Sequence, residues 1–341
     1  MKTVWRSLAI SLVFSAAGLA WVVFRVGSVG DLLAVRRMPI IAVLAGIAGL
    51  GVAFLFSGLR LQLLCRRLGF ELRLHHAIRA HVLGMFSATV TPGGSGNMPA
   101  IALTLQHHGE RSGRAWAVGM AVFGADALFH SWTTPIALAI LYQDKLYPRT
   151  PVWLALGFAA LVVAAAVAYV VQFRLAWLEP LARTVLRGPL IRWRRKGLRF
   201  IDVMLEANRL FASAPVGFYL LVQLYSLLAG IFYYSILYWL AKGLAIDVTL
   251  WGIAAALTII NVMATFIPTP GGSGLFELGI SYLLVARGGG SSVPAVVLVW
   301  RVITYYSIFL IGPMLGGYLL ARRSMGAPGA PGAGTSQRHR P

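Results

Sequence analysis

Thr91-Pro92-Gly93-Gly94-Ser95-Gly96 and Thr269-Pro270-Gly271-Gly272-Ser273-Gly274 are the same six residues, 178 positions apart (269 − 91). Each copy interrupts a strongly apolar segment, about 82–106 and about 250–286. Proline and glycine break a helix and free backbone N–H and C=O groups. In hydrocarbon such groups are tolerated only where protein buries them or where they line a wet cavity. The pieces flanking each break are too short to span, so each segment reads as a re-entrant helical hairpin.

The surrounding chain supports a membrane setting. Of 341 residues, 58% are hydrophobic and 12% charged. Apolar runs long enough to cross a bilayer recur at about 5–24, 39–58, 115–141, 151–172, 216–240 and 293–320. The expected fold class is therefore all-α: a polytopic membrane protein with six spans plus two re-entrant hairpins. One transmembrane domain covers 1–322, and residues 323–341, rich in Gly, Ala and Pro, are expected to form a disordered cytoplasmic tail. Ser15-Ala16-Ala17 imitates a signal-peptidase site, but the apolar run continues past it, so a retained first helix is expected.

The net charge of +20 would suggest nucleic acid in a soluble protein. Here it follows the positive-inside rule. With the N-terminus inside, the inner segments 1–6, 58–81, 107–114, 173–214 and 321–341 total +17, against +4 for the outer segments. This places both termini in the cytoplasm and the protein in the cytoplasmic membrane. The basic segment 173–214, with Trp177 and Trp193 among its arginines, reads as helix lying on anionic headgroups or as a solvated basic loop. A lone cysteine, Cys65, allows no intrachain disulfide and no cysteine metal cluster.

The repeat extends beyond the hexapeptide. At the same offset Leu50 matches Leu228, Phe54 matches Phe232, Met85 matches Met263, Leu105 matches Leu283 and Pro135 matches Pro313. Repeat 1 covers about 39–141 and repeat 2 about 216–320. The single span 151–172 between them turns the second copy over. The arrangement is then an inverted repeat whose hairpin tips meet near the midplane, as in transporters built from discontinuous helices. A duplicated scaffold using glycine for close packing is the structural alternative.

A Gly-Gly-Ser-Gly turn can offer consecutive N–H groups to an anion, and the half-helices starting near Asn97 and Leu275 aim their positive ends at the same place. The candidate substrate-binding residues are accordingly Gly93, Gly94, Ser95, Gly96, Gly271, Gly272, Ser273 and Gly274, joined by Glu277, Arg301, Asp126 and Asn261. Ionisable groups at membrane depth are costly and tend to mark functional sites. Arg301 is expected to pair with Glu277 or Asp126, or to hold a lipid phosphate; a purely structural ion pair is the plainer reading. Phe123 stands at the repeat position of Arg301 and Thr304 at that of Asp126, so the charges are distributed asymmetrically.

His75, His76, His81, His107 and His108 fall at the inner interface and read as headgroup or surface groups, with no metal centre among them. No cofactor fingerprint and no nucleophile–base pair is found, so an enzyme is not expected. The expected partners are membrane lipids with anionic headgroups, with room for a separate synthase or envelope-biosynthesis protein and none for nucleic acid. Oligomeric state is not read.

Pro270-Gly271-Gly272-Ser273-Gly274-Leu275-Phe276-Glu277, followed by Val299-Trp300-Arg301 and Thr304-Tyr305-Tyr306, resembles the lysylphosphatidylglycerol synthase transmembrane region, a flippase-like integral membrane family. The resemblance spans about residues 5–322. It implies movement of aminoacylated phosphatidylglycerol between leaflets, with synthesis by a separate soluble domain that is not read in this sequence. It also implies roles for Gly271, Gly272, Gly274, Glu277 and Arg301. The first repeat departs from the motif, because Pro99 stands where Glu277 does. The leading expectation is thus a flippase or transporter of an anionic, aminoacylated or other phosphate-bearing lipid. The alternatives are a membrane-embedded transferase and an accessory subunit of lipid or envelope biosynthesis.

Overall fold

The computed structural model describes residues 13, 16–24, 28–91, 93–143, 194–266, 269 and 271–324. These residues are helical and contain no strand. The chain runs through α1 (Ile40–Arg67), α2 (Leu74–Val90), α3 (Asn97–His107), α4 (Ser112–Gln143), α5 (Arg194–Ala212), α6 (Val216–Gly243), α7 (Leu250–Phe266) and α8 (Leu275–Ala286). It ends with α9 (Val293–Arg301), a π-helical turn (Val302–Tyr306) and α10 (Ser307–Ser324). A helical stretch at 16–24 and a 3-10 helix at Val29–Arg37 precede α1. The expected span 151–172 lies outside the described residues, as do most of 5–24, the basic stretch 173–193 and the tail beyond Ser324.

α1 shows why this is a membrane fold. Ala42, Gly46, Leu50, Ala53, Ser57, Leu61 and Leu64 form one buried stripe at helical spacing. The opposite face is also apolar, and there Ile40, Ile41, Leu44, Ile47 and Leu55 are exposed. A helix in water would carry charge on that face; one that is apolar all round has lipid as its solvent. Three helical stretches of the described residues are long and apolar enough to cross a membrane: Ile40–Arg67, Val216–Gly243 and Gly290–Gly317. α4 has the length, with 32 residues, but Asp126, His130, Ser131, Thr133 and Thr134 interrupt its apolarity.

Both expected hairpins are broken at the hexapeptide. α2 stops at Val90 and α3 starts at Asn97; α7 stops at Phe266 and α8 starts at Leu275. Shifting 97–107 by 178 gives 275–285, against an observed helix at Leu275–Ala286. Shifting 40–67 gives 218–245, against Val216–Gly243. Pro135 sits inside α4 as Pro313 sits inside α10. The span expected at 39–58 is longer than anticipated: α1 continues to Arg67 and carries Arg60 into the bundle.

Packing follows the same register. α1 packs along α6, its counterpart, and the two backbones approach closely. A Cβ on Gly49 would lie 3.0 Å from the Phe232 carbonyl, and one on Gly243 would lie 2.8 Å from the Ala42 methyl. α4 packs on α7, and α10 packs on α2. α5 is amphipathic, and Ala207 and Phe211 on its apolar face are buried in the cluster that contains α4 residues Ala115, Val118 and Val122. That face is therefore covered by protein. Arg67 anchors the following turn through the Leu210 carbonyl and Ser213 hydroxyl, at 2.9 and 3.2 Å.

Candidate functional site

The turn residues make the site. Gly93 and Gly94 have φ of 58° and 69°; Gly271 and Gly272 have 60° and 62°. These are left-handed conformations that side-chain-bearing residues adopt at a cost. The two tips also touch. A Cβ on Gly93 would stand 3.6 Å from the Thr265 carbonyl oxygen at the end of α7, and one on Gly271 would stand 3.4 Å from that of Thr89 at the end of α2. Each glycine turn thus rests on the other hairpin.

The copies then diverge. In the first, the Gly96 N–H donates to Thr91 Oγ1 at 2.8 Å, and that hydroxyl donates to the Ser87 carbonyl. In the second, the Gly274 N–H donates to Glu277 Oε2 at 2.7 Å. The carboxylate has taken over the work of the threonine. Thr269, the counterpart of Thr91, is left with its buried hydroxyl unpartnered. Gly274 accordingly has φ of 88°, where Gly96 is right-handed at −75°.

Glu277 also accepts from Arg301 Nη2 at 2.6 Å. Both residues are sealed, at 0% and 2% exposure. Phe276, Trp300 and Tyr305 enclose the guanidinium, with ring centroids 5.4, 5.2 and 5.0 Å from its central carbon. Arg301 is the last residue of α9, and the π-helical turn begins at the next residue, a feature that recurs at functional sites. This turn brings the Tyr305 ring against Gly271, where a Cβ would stand 2.5 Å from Cε2. The helical stretch at 16–24 closes the other side, with a Cβ on Gly18 placed 3.2 Å from Glu277 Cδ.

Around this pair four further polar atoms are buried without a partner: Thr269 Oγ1, Ser273 Oγ, Trp300 Nε1 and Arg301 Nε. The last two can only donate, and the hydroxyls can donate. A set of buried, unused donors beside a guanidinium is matched by a ligand rich in acceptor oxygens.

Of the two carboxylates expected as partners for Arg301, the structure pairs it with Glu277. Asp126 belongs to a second centre, where its carboxylate pairs with Arg60 and Arg60 also donates to Ser226 Oγ at 2.9 Å. Asn261 lies in neither pair; its amide donates to the Leu257 carbonyl at 2.8 Å. Arg60 falls within the segment 58–81 expected at the inner surface, yet it is 6% exposed. The signal was present: Ser57, Arg60 and Leu64 continue the buried stripe of α1 at helical spacing. His81 is likewise not a surface group. Its ring packs edge-on against Phe54, with centroids 5.8 Å apart, within electrostatic reach of Arg60 and Asp126. The recess lined by Asp31, Arg37, Gly243, Leu244, Ser291 and Ser292 contains none of these residues.

The remaining histidines form a latch between the outer ends of α2 and α3. His108 Nδ1 bonds the Thr104 carbonyl at 2.8 Å, so its Nε2 accepts from His76 Nδ1 at 3.0 Å. Burial, then the neighbouring His108, His75, Arg79 and Arg73, lowers the His76 pKa from 6.5 to about 4. With a folded-state value below the unfolded one, the neutral latch contributes fully above pH 6.5 and is lost as the pH falls towards 4. A carbon-13 imidazole titration is expected to find the His76 midpoint well below 6.5. His76→Gln is expected to flatten the acid limb of the thermal-stability profile over that window.

Among the described residues, apolar helices exposed on their outer faces, three of them long enough to cross a bilayer, define an integral membrane protein of the helical class. The chain belongs to the lysylphosphatidylglycerol synthase TM region family, whose model matches residues 6–312. It is also similar to a UPF0104 membrane protein of Archaeoglobus fulgidus, at 22% identity over 279 residues, covering 79% of this chain and 84% of the relative. The membership places the protein among membrane proteins of lipid or envelope pathways.

Proposed function

We propose that the protein is a lipid flippase or lipid transporter of the cytoplasmic membrane, with both termini in the cytoplasm. It moves an anionic or other phosphate-bearing lipid between leaflets. The observation that carries this reading is the set of unused buried donors, Thr269, Ser273, Trp300 and Arg301, around a guanidinium where two glycine turns touch. A phosphodiester supplies the acceptor oxygens that this donor set lacks. The acyl chains remain in the bilayer, against the exposed apolar faces.

The matched helix register and the reciprocal packing of α1 with α6, α4 with α7 and α10 with α2 support reading the halves as an inverted repeat. Rocking one half against the other then exposes the site to each leaflet in turn. Aminoacylated phosphatidylglycerol, the lipid named by the family, is one candidate cargo; a separate synthase would supply it.

The test is reconstitution into phosphatidylcholine vesicles carrying a trace of headgroup-labelled lipid, followed by addition of an impermeant quencher. Phosphatidylglycerol, lysylphosphatidylglycerol and phosphatidylcholine are compared. The expected result is that quenching of at least one phosphate-bearing lipid reaches the inner-leaflet pool in protein vesicles and stops at the outer pool in empty ones. Inner-pool protection for every lipid would contradict the reading.

A further inference from the structure

The second ion pair is unlike the first. Glu277 and Arg301 are both sealed, but the Arg60–Asp126 pair is open on one side: the Arg60 side chain is 8% exposed and the Asp126 side chain 41%. Arg60 spends Nη1 on both Asp126 and Ser226, and its Nε is buried without a partner. The carboxylate is therefore the reachable member, and the guanidinium is the held one.

The groups facing Asp126 come from four helices: Arg60 on α1, His81 on α2, His130 on its own helix α4, and Tyr234 on α6. α7, which also packs on α4, contributes the neutral Thr258 and Asn261, which donate to the Ala254 and Leu257 carbonyls of their own helix. Asp126, His130 and Thr134 follow one another at i, i+4 and i+8 on one face of α4, and His130 Nδ1 and Thr134 Oγ1 are buried without partners. A file of polar groups inside a membrane helix, ending on a reachable carboxylate, is the arrangement of a proton-exchange site.

Tyr234 joins this site to the first. It is adjacent to Tyr233, with ring centroids 6.1 Å apart. Tyr233 in turn lies within electrostatic reach of Arg301. One helix, α6, thus carries two consecutive tyrosines, Tyr234 within electrostatic reach of Asp126 and Tyr233 within that of Arg301.

We propose that Arg60–Asp126 is a proton-linked anion station, in which Asp126 takes up a proton as Arg60 exchanges the carboxylate for a phosphodiester. This rests on the lipid-transport reading and adds a coupling ion to it. The step balances. Asp126 gains one proton from water, Arg60 keeps its own, and the pair changes from neutral to a single positive charge. The phosphodiester then cancels that charge. Lipid phosphate and free inorganic phosphate share this chemistry, so both are used as probes.

The experiment is infrared difference spectroscopy of the full chain in nanodiscs, titrated from about pH 3 to about pH 8 so that the ordinary aspartate range is included. The carboxylic-acid C=O band is assigned to Asp126 by its loss in Asp126→Asn. Nanodiscs of phosphatidylcholine, of phosphatidylcholine with phosphatidylglycerol, and of phosphatidylcholine with added inorganic phosphate are compared. The expected result is a midpoint raised by about one pH unit or more in the phosphatidylglycerol discs, a tenfold shift in proton affinity. The shift is expected to disappear in Arg60→Gln, whose own folding is checked by its far-UV circular dichroism and thermal unfolding in the same nanodiscs. A shift with inorganic phosphate as well assigns the site to the phosphate group in general.

An Asp126 midpoint unaffected by either anion overturns the proposal, whatever the vesicle assay shows. An anion-dependent midpoint with no lipid movement leaves the proton-linked station standing and removes the transport reading instead.

Discussion

Glu277→Gln is expected to stop lipid movement and to destabilise the protein, because it strands a charge. The glutamine oxygen can still accept from the Gly274 N–H, but its amide nitrogen cannot neutralise Arg301. Leaving one member of a buried pair uncompensated costs about 3–5 kcal/mol. Thermal unfolding in detergent is expected to show that loss, and the vesicle assay is expected to fall by at least about tenfold.

The double variant Glu277→Leu with Arg301→Met separates structure from function. Apolar replacement of a buried pair is often neutral or stabilising, so stability is expected to return to within about 2 kcal/mol of the parent. The Gly274 N–H then needs a new acceptor, and the free Thr269 hydroxyl can provide it, as Thr91 does for Gly96. Lipid movement is expected to stay lost. A double variant that is stable and still moves lipid would reduce the pair to a structural clamp.

The second large effect is expected at the glycine tips, and unequally. A Cβ on Gly271 would stand 2.5 Å from Tyr305 and one on Gly93 no closer than 3.6 Å to anything outside its own turn, although both have left-handed φ. Gly93→Ala then carries the conformational cost alone, about 1–2 kcal/mol. Gly271→Ala adds overpacking against the ring that covers Arg301, about 1–3 kcal/mol more. Initial rates of lipid movement, compared at equal protein incorporation, are expected to drop about tenfold further in Gly271→Ala than in Gly93→Ala. Equal losses would mean that Tyr305 does not hold the turn.

The helix breaks were legible in the sequence because proline and glycine act locally: no long-range contact is needed to end α2 at Val90 or α7 at Phe266. The Glu277–Arg301 pairing was legible as one of three options for Arg301, since few charges sit in apolar segments. Arg60 was missed because positive-inside counting assigns any basic residue near a span end to water. The stripe from Ser57 to Leu64 instead carries it inward to meet Asp126. The exchange of Thr91 for Glu277 as the acceptor at the turn was beyond reach. It depends on which backbone N–H each side chain meets, and the two hexapeptides are identical. The π-helical turn at Val302–Tyr306 has no distinctive residue either; it shows only as the geometry that sets Tyr305 on Gly271.

The central claim is that a lipid phosphate reaches the donors around Arg301. It is tested most directly by photo-crosslinking with a phosphatidylglycerol analogue whose photoreactive group is on the headgroup, followed by peptide mapping of the protein in vesicles. The account predicts adducts within 269–277 and 300–306, reduced by excess unlabelled phosphatidylglycerol and lost in Glu277→Leu with Arg301→Met. Adducts confined to the exposed faces of α1, α6 and α10, unchanged by competitor, would contradict it.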